Sequence, residues 1–116
     1  MDFHTAMSHF TGSTCLYHHP TYDTPKYTDG ARYFFQNAGG GAYWLLDLIA
    51  TEPAIRKQAQ DFAFITLDVK ENKARLFVTD GNEKQVYERH IEYTDCPAGV
   101  WKFYWTDDVL MVSSEY

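Results

Sequence analysis

Residues 36–50 read QNAGGGAYWLLDLIA, three glycines running straight into the densest apolar stretch of the chain. Tyr43, Trp44, Leu45, Leu46, Leu48 and Ile49 cover nearly every direction around a helix axis, which predicts a central helix over 42–50 covered on most sides. Asp47 alone breaks the pattern. A carboxylate there either reaches a hydrogen-bond partner at the margin of the core or sits buried with a raised pKa. Gly39, Gly40 and Gly41 predict a corner between two helices, because glycine permits positive φ or a close backbone approach.

Working outward, Thr28-Asp29 has N-cap chemistry and predicts a helix over 30–37. Pro20 and Pro25 forbid regular structure in the loop over 19–27, which Tyr22 and Tyr27 are expected to pin. Before it, Thr14 to Tyr17 suits a short extended segment. Phe3, Met7 and Phe10 share one face of a docking helix that stops at Thr11-Gly12. After the central helix, Pro53 at a first helical position predicts a short helix to about Gln60.

From Phe62 the period changes from helical to two. Ala63, Ile65, Leu67 and Val69 alternate with Phe62, Phe64, Thr66 and Asp68, and Ala74, Leu76 and Val78 return after a turn at 70–73. The Asp80-Gly81-Asn82 hairpin signal leads to a third strand over 84–93. A fourth follows over 100–106, with Trp101, Phe103 and Trp105 on its inner face, and a fifth over 109–112. Short connections predict an antiparallel meander. The expected fold is therefore α+β, one domain over 1–116, with N-terminal short helices packed on one face of a C-terminal sheet of four to five strands. The expected structural core includes Gly39, Gly40, Gly41, Tyr43, Trp44, Asp47, Trp101 and Trp105.

Composition bounds function. Sixteen acidic against ten basic residues give a net charge of −6, which argues against direct binding to a phosphate backbone and leaves a basic protein surface as the electrostatically favoured partner. Aromatics are 17% of the chain, and nine of them are tyrosines, which places many polar-edged rings at the surface. The opening Met-Asp-Phe-His-Thr has no basic or apolar leader region and no run reaches membrane-span length, so the expected location is the cytoplasm, without membrane attachment. Cys15 and Cys96 are too few for a disulfide framework and read as small buried hydrophobes, with a single disulfide between them as the alternative.

Catalytic signatures are weak by the same reading. Cys15, His18, His19 and Cys96 carry zinc-ligating atoms, but Cys96 has no nearby ligand in sequence, so no metal or other cofactor is expected. The glycine run lacks the Lys-Ser/Thr ending of a P-loop and the preceding strand of a dinucleotide site. No Gly-x-Ser-x-Gly elbow is present, and Cys15 with His18 or His90 lacks local support as a nucleophile pair. Most carboxylates fall where caps and turns want them; for Asp47 an internal hydrogen bond is favoured over catalysis. A stacking platform for single-stranded nucleic acid built on the sheet aromatics is opposed by the chain's charge. Tyr87, Arg89, Ile91 and Tyr93 share one face of the third strand and read as a half-exposed surface or as a partner-binding strip, with Tyr104 added from the fourth.

The run Gly41-Ala42-Tyr43-Trp44-Leu45-Leu46-Asp47, preceded by Tyr27-Thr28-Asp29-Gly30, resembles a family of short bacterial proteins of unknown function carried on plasmids, in phages and in other mobile elements. Thr11-Gly12, an aromatic before His18, Asp80-Gly81-Asn82, Tyr93-Thr94-Asp95 and Ser114-Glu115-Tyr116 extend the likeness across nearly the whole chain. The glycine run is longer than the pattern requires, and His19 adds a second His. The resemblance brings no catalytic residues. It implies a small acidic protein carried by mobile DNA in a bacterial host, a class whose members often block host or defence proteins, as anti-CRISPR inhibitors do. The expected function is non-enzymatic binding to a host or defence protein, including a basic nucleic-acid-handling complex. The alternatives are a small-ligand binder or enzyme with a pocket near Asp47, and a homo-oligomeric module that pairs through a strand edge or aromatic strip.

Overall fold

Alternation in the second half of the chain and capped helices in the first produce a two-layer α+β structure. The computed structural model describes residues 2–11, 15–21, 23, 25–82 and 84–115; the expectations placed on Gly12, Thr14, Tyr22 and Tyr116 lie outside the described residues. The helices are α1 Phe3–Ser8, α2 Asp29–Asn37, α3 Tyr43–Thr51 and α4 Pro53–Ala59. The strands are β1 Tyr17–His18, β2 Lys26–Tyr27, β3 Ala63–Lys70, β4 Lys73–Thr79, β5 Gln85–Ile91, β6 Gly99–Thr106 and β7 Val109–Val112, followed by a 3-10 turn at Ser113–Glu115.

The sheet has seven strands in the order β1-β2-β7-β6-β3-β4-β5, which corrects the expectation of a four- or five-stranded meander. Two differences account for this. The two-residue strands β1 and β2 are too short to show any period, and they interrupt the helical half of the chain; β2 adds parallel to β7. The other difference is that β6 pairs with β3 instead of β5. Residues 92–98 arch over the β3–β4 turn to reach it, about 14 Å for three strand spacings. The arch is held by paired bonds: Thr94 N–H donates to Asn72 O at 2.8 Å, and Asn72 Nδ2–H donates to Thr94 O at 3.2 Å.

The inner face carries Ile65 and Leu67 of β3, Leu76 and Val78 of β4, Trp101, Phe103 and Trp105 of β6, and Leu110 of β7, all buried. On them sits α2, whose Phe34 and Phe35 are fully buried and meet Phe103 at 5.1 and 6.0 Å between ring centroids. Phe3 of α1 closes the cluster edge-on to Trp101 at 5.1 Å. Such ring pairs add about 0.5–1.5 kcal/mol each beyond the area they bury.

The α3 helix is less enclosed than its composition predicts. Leu45, Leu46, Ile49 and Ala50 are buried, but Tyr43, Asp47 and Thr51 fall at i, i+4 and i+8 on one exposed stripe. Trp44 and Leu48 are half-buried on its flank. Of the expected core, Trp101 and Trp105 are buried, whereas Asp47, Tyr43, Gly39 and Gly40 are exposed and Gly41 is half-buried. The glycines shape a surface corner: Gly39 holds φ +60°, and a Cβ on it would lie 2.4 Å from Asp95 O.

Candidate functional site

Three carboxylates from distant parts of the chain occupy the polar groups that a ligand would otherwise use. Glu115 sits at the N-terminus of α2. Its Oε1 accepts from Thr28 Oγ1–H at 2.6 Å and from Val112 N–H at 3.1 Å, and its Oε2 accepts from Gly30 N–H at 3.3 Å. Thr28 Oγ1 in turn accepts from Ala31 N–H as the helix cap. Gly30 is required here by space, since a Cβ would stand 2.6 Å from Glu115 Oε1 and 2.7 Å from Val112 Cγ2.

The second carboxylate is Asp95, whose Oδ2 accepts from Gly40 N–H at 2.7 Å, so the anion at the glycine corner is the protein's own. The third is Asp47. Its side chain is 64% exposed, and its Oδ1 accepts from Nε2–H of the buried His19 at 2.6 Å. His19 Nδ1 accepts from Thr21 N–H at 3.0 Å, which fixes the tautomer. A histidine general base needs one nitrogen facing the substrate, and both nitrogens of His19 are engaged within the protein. The second histidine that departs from the resemblance pattern is thus the partner of Asp47.

The cysteines differ from their reading as two buried hydrophobes. Cys15 is exposed; Cys96 is buried, and burial pushes its thiol pKa up. Among the described residues no three His, Cys, Asp or Glu side chains converge as a metal site requires.

Exposed recognition chemistry gathers instead between α3 and β5. Antiparallel register sets Tyr87, Arg89 and Ile91 opposite Val78, Leu76 and Ala74, on the helix-bearing face of the outermost strand. Trp44 and Leu48, one turn apart on α3, face them across a groove of about 350 Å³ lined by Trp44, Leu48, Arg89, Ile91 and Tyr93. Tyr93 is 72% exposed, and Arg89 makes no ion pair among the described residues. Of the four expected partner-binding residues, the structure brings Arg89 and Tyr93 together in the groove and places Tyr87 beside them, half-buried against the core. Tyr104 is on the opposite face, next to Phe64 and level with Met111. Trp44 and Leu48 are the groove residues that sequence reasoning missed, because their i, i+4 spacing read as core.

A protein-family model matches residues 1–116. The chain belongs to DUF6876, a family of unknown function. No curated protein and no solved structure matches it. Of the residues in the three carboxylate contacts, Thr28, Gly30, Glu115, Gly40, Asp95 and Asp47 lie in the runs on which the sequence resemblance rests, and His19 lies outside them. These three contacts tie distant parts of the chain together, while Trp44 and Tyr93 of the same runs line the groove.

Proposed function

We propose that this DUF6876 protein acts by binding another protein through the groove between α3 and β5. The observation that supports this most is the grouping of Trp44, Arg89 and Tyr93, three residue types that dominate binding hot spots, around an open depression beside a free strand edge. The Asp47, Asp95 and Glu115 carboxylates are meanwhile engaged in internal bonds. The net charge of −6 favours a partner with a basic surface. Likeness to proteins of mobile elements makes a host or defence complex the partner class, with inhibition as the outcome, in the manner of anti-CRISPR proteins. That part is analogy of class.

The test is capture from a bacterial lysate by the wild-type chain and by a Trp44→Ala/Arg89→Glu variant that keeps its fold. One protein recovered in stoichiometric amount by the first and lost by the second supports the groove; equal recovery by both removes it. A pocket enzyme near Asp47 is disfavoured by the closed His19–Asp47 geometry. Self-pairing through β5 is disfavoured by charge, since two-fold registers centred on Glu88 or Arg89 set like charges against each other. Light scattering at two concentrations checks this, with a monomer expected.

A further inference from the structure

We infer that the helix-free face of the sheet binds single-stranded nucleic acid. This face is opposite the α3–β5 groove, and its ligand is independent of any protein partner there. Strand alternation puts Phe64, Phe77 and Tyr104 on it, all half-buried, together with Thr66, Thr79 and Gln85. Between Phe64 and Phe77 runs a shallow trough of about 470 Å³ whose walls also include the Thr66 and Thr79 side chains and Gln85. The Arg75 guanidinium lies over the Phe77 ring at 4.3 Å and Thr66 is buried, so the trough offers the Phe64 ring, an arginine-capped Phe77 and the polar groups of Thr79 and Gln85 to a planar base with a polar edge.

Charge on this face departs from that of the whole chain. Five of the ten Lys and Arg residues lie on it by alternation: Lys26, Lys70, Lys73, Arg75 and Lys102. Of the sixteen acidic residues, its described strands carry Asp68 and Glu88. Arg75 is tied to Glu88 and Gln85, and Lys26 adjoins the Asp107–Asp108 turn that bounds the face. Lys70, Lys73 and Lys102 therefore supply its positive field against Asp68. Lys102 is level with Thr66, four residues from Lys70 along β3, a separation of about 14 Å. Phe64 and Tyr104 lie two residues along from the Thr66–Lys102 pair, so bases stack in the trough toward the β4–β5 hairpin while phosphates track past Lys102 toward the β3–β4 end. A net charge averages over the molecule, whereas a strand of nucleic acid meets one face.

Fluorescence anisotropy of a labelled single-stranded oligonucleotide of about twelve nucleotides tests this with the full chain. Saturable binding at about 50 mM salt is expected, falling by about tenfold or more at about 200 mM. Lys102→Glu should weaken it about tenfold or more, and Phe64→Ala by a similar factor if its circular dichroism matches wild type. Lys57→Glu, on exposed α4, makes the same net charge change and should alter affinity by about threefold or less. The same sequence as a duplex should bind more weakly, because paired bases cannot stack on the rings. Absence of saturable binding, equal losses for Lys102→Glu and Lys57→Glu, or equal affinity for a labelled oligoglutamate peptide overturns the inference; the last result would make the occupant an acidic polypeptide.

Discussion

Replacing Glu115 with Ala removes the acceptor for three donors at once: Thr28 Oγ1–H, Gly30 N–H and Val112 N–H. Thr28 is 4% exposed and Gly30 is buried, so these groups regain water poorly after the truncation. A bond of this kind contributes about 1 kcal/mol net, and an orphaned buried donor costs about 1–3, so the variant should lose about 3 kcal/mol. Unfolding entropy of about 2.1 cal/mol/K per residue over 116 residues gives about 0.24 kcal/mol per kelvin, and the Tm should fall by about 12 °C. Thermal melts followed by circular dichroism measure this directly. Combined with Thr28→Val in a double-mutant cycle, the two losses should fall short of additive by about 1 kcal/mol. A Tm drop under about 3 °C, or strict additivity, refutes the idea that the chain's end fastens the start of α2.

Three further outcomes follow from the geometry. Thiol reagents at mildly alkaline pH should modify Cys15 in the folded protein and reach Cys96 only on unfolding, because burial raises the Cys96 pKa and removes access; equal rates by mass spectrometry contradict this. The guanidinium of Arg75 holds the Glu88 carboxylate below its usual range. A depressed folded pKa means that the pair's contribution is present above the unfolded value and lost as pH falls through the folded one, so NMR should find Glu88 titrating low in the wild type and normally in Arg75→Met. Asp47→Asn keeps an oxygen for His19 Nε2–H at an exposed site and should cost about 1 kcal/mol or less in urea unfolding, with partner capture unchanged. A selective loss of capture at unchanged stability would instead make Asp47 functional.

Local chemistry made much of the fold legible. Thr28 and Pro53 marked helix starts within a residue, and period two marked β3, β4, β6 and β7 because one face of each is buried. Strand order was not legible, since alternation reports which face a residue occupies and nothing about its neighbour. The carboxylate contacts were hidden by distance along the chain: Gly40 and Asp95 are 55 residues apart, and Thr28 and Glu115 are 87. The candidate groove was half legible. Parity grouped Tyr87, Arg89 and Ile91, but only the docking of α3 beside β5 adds Trp44 and Leu48, and only the sheet's register sends Tyr104 to the other face.

The claim that the Asp47, Asp95 and Glu115 carboxylates fasten the fold while binding lies in the groove is tested most directly by one comparison. Lysate capture is run with wild type, with Trp44→Ala/Arg89→Glu, and with Asp95→Asn, each shown to be folded. The account predicts that wild type and Asp95→Asn recover the same stoichiometric partner and that the groove variant recovers none. Retained capture by the groove variant, with loss in Asp95→Asn, would contradict it.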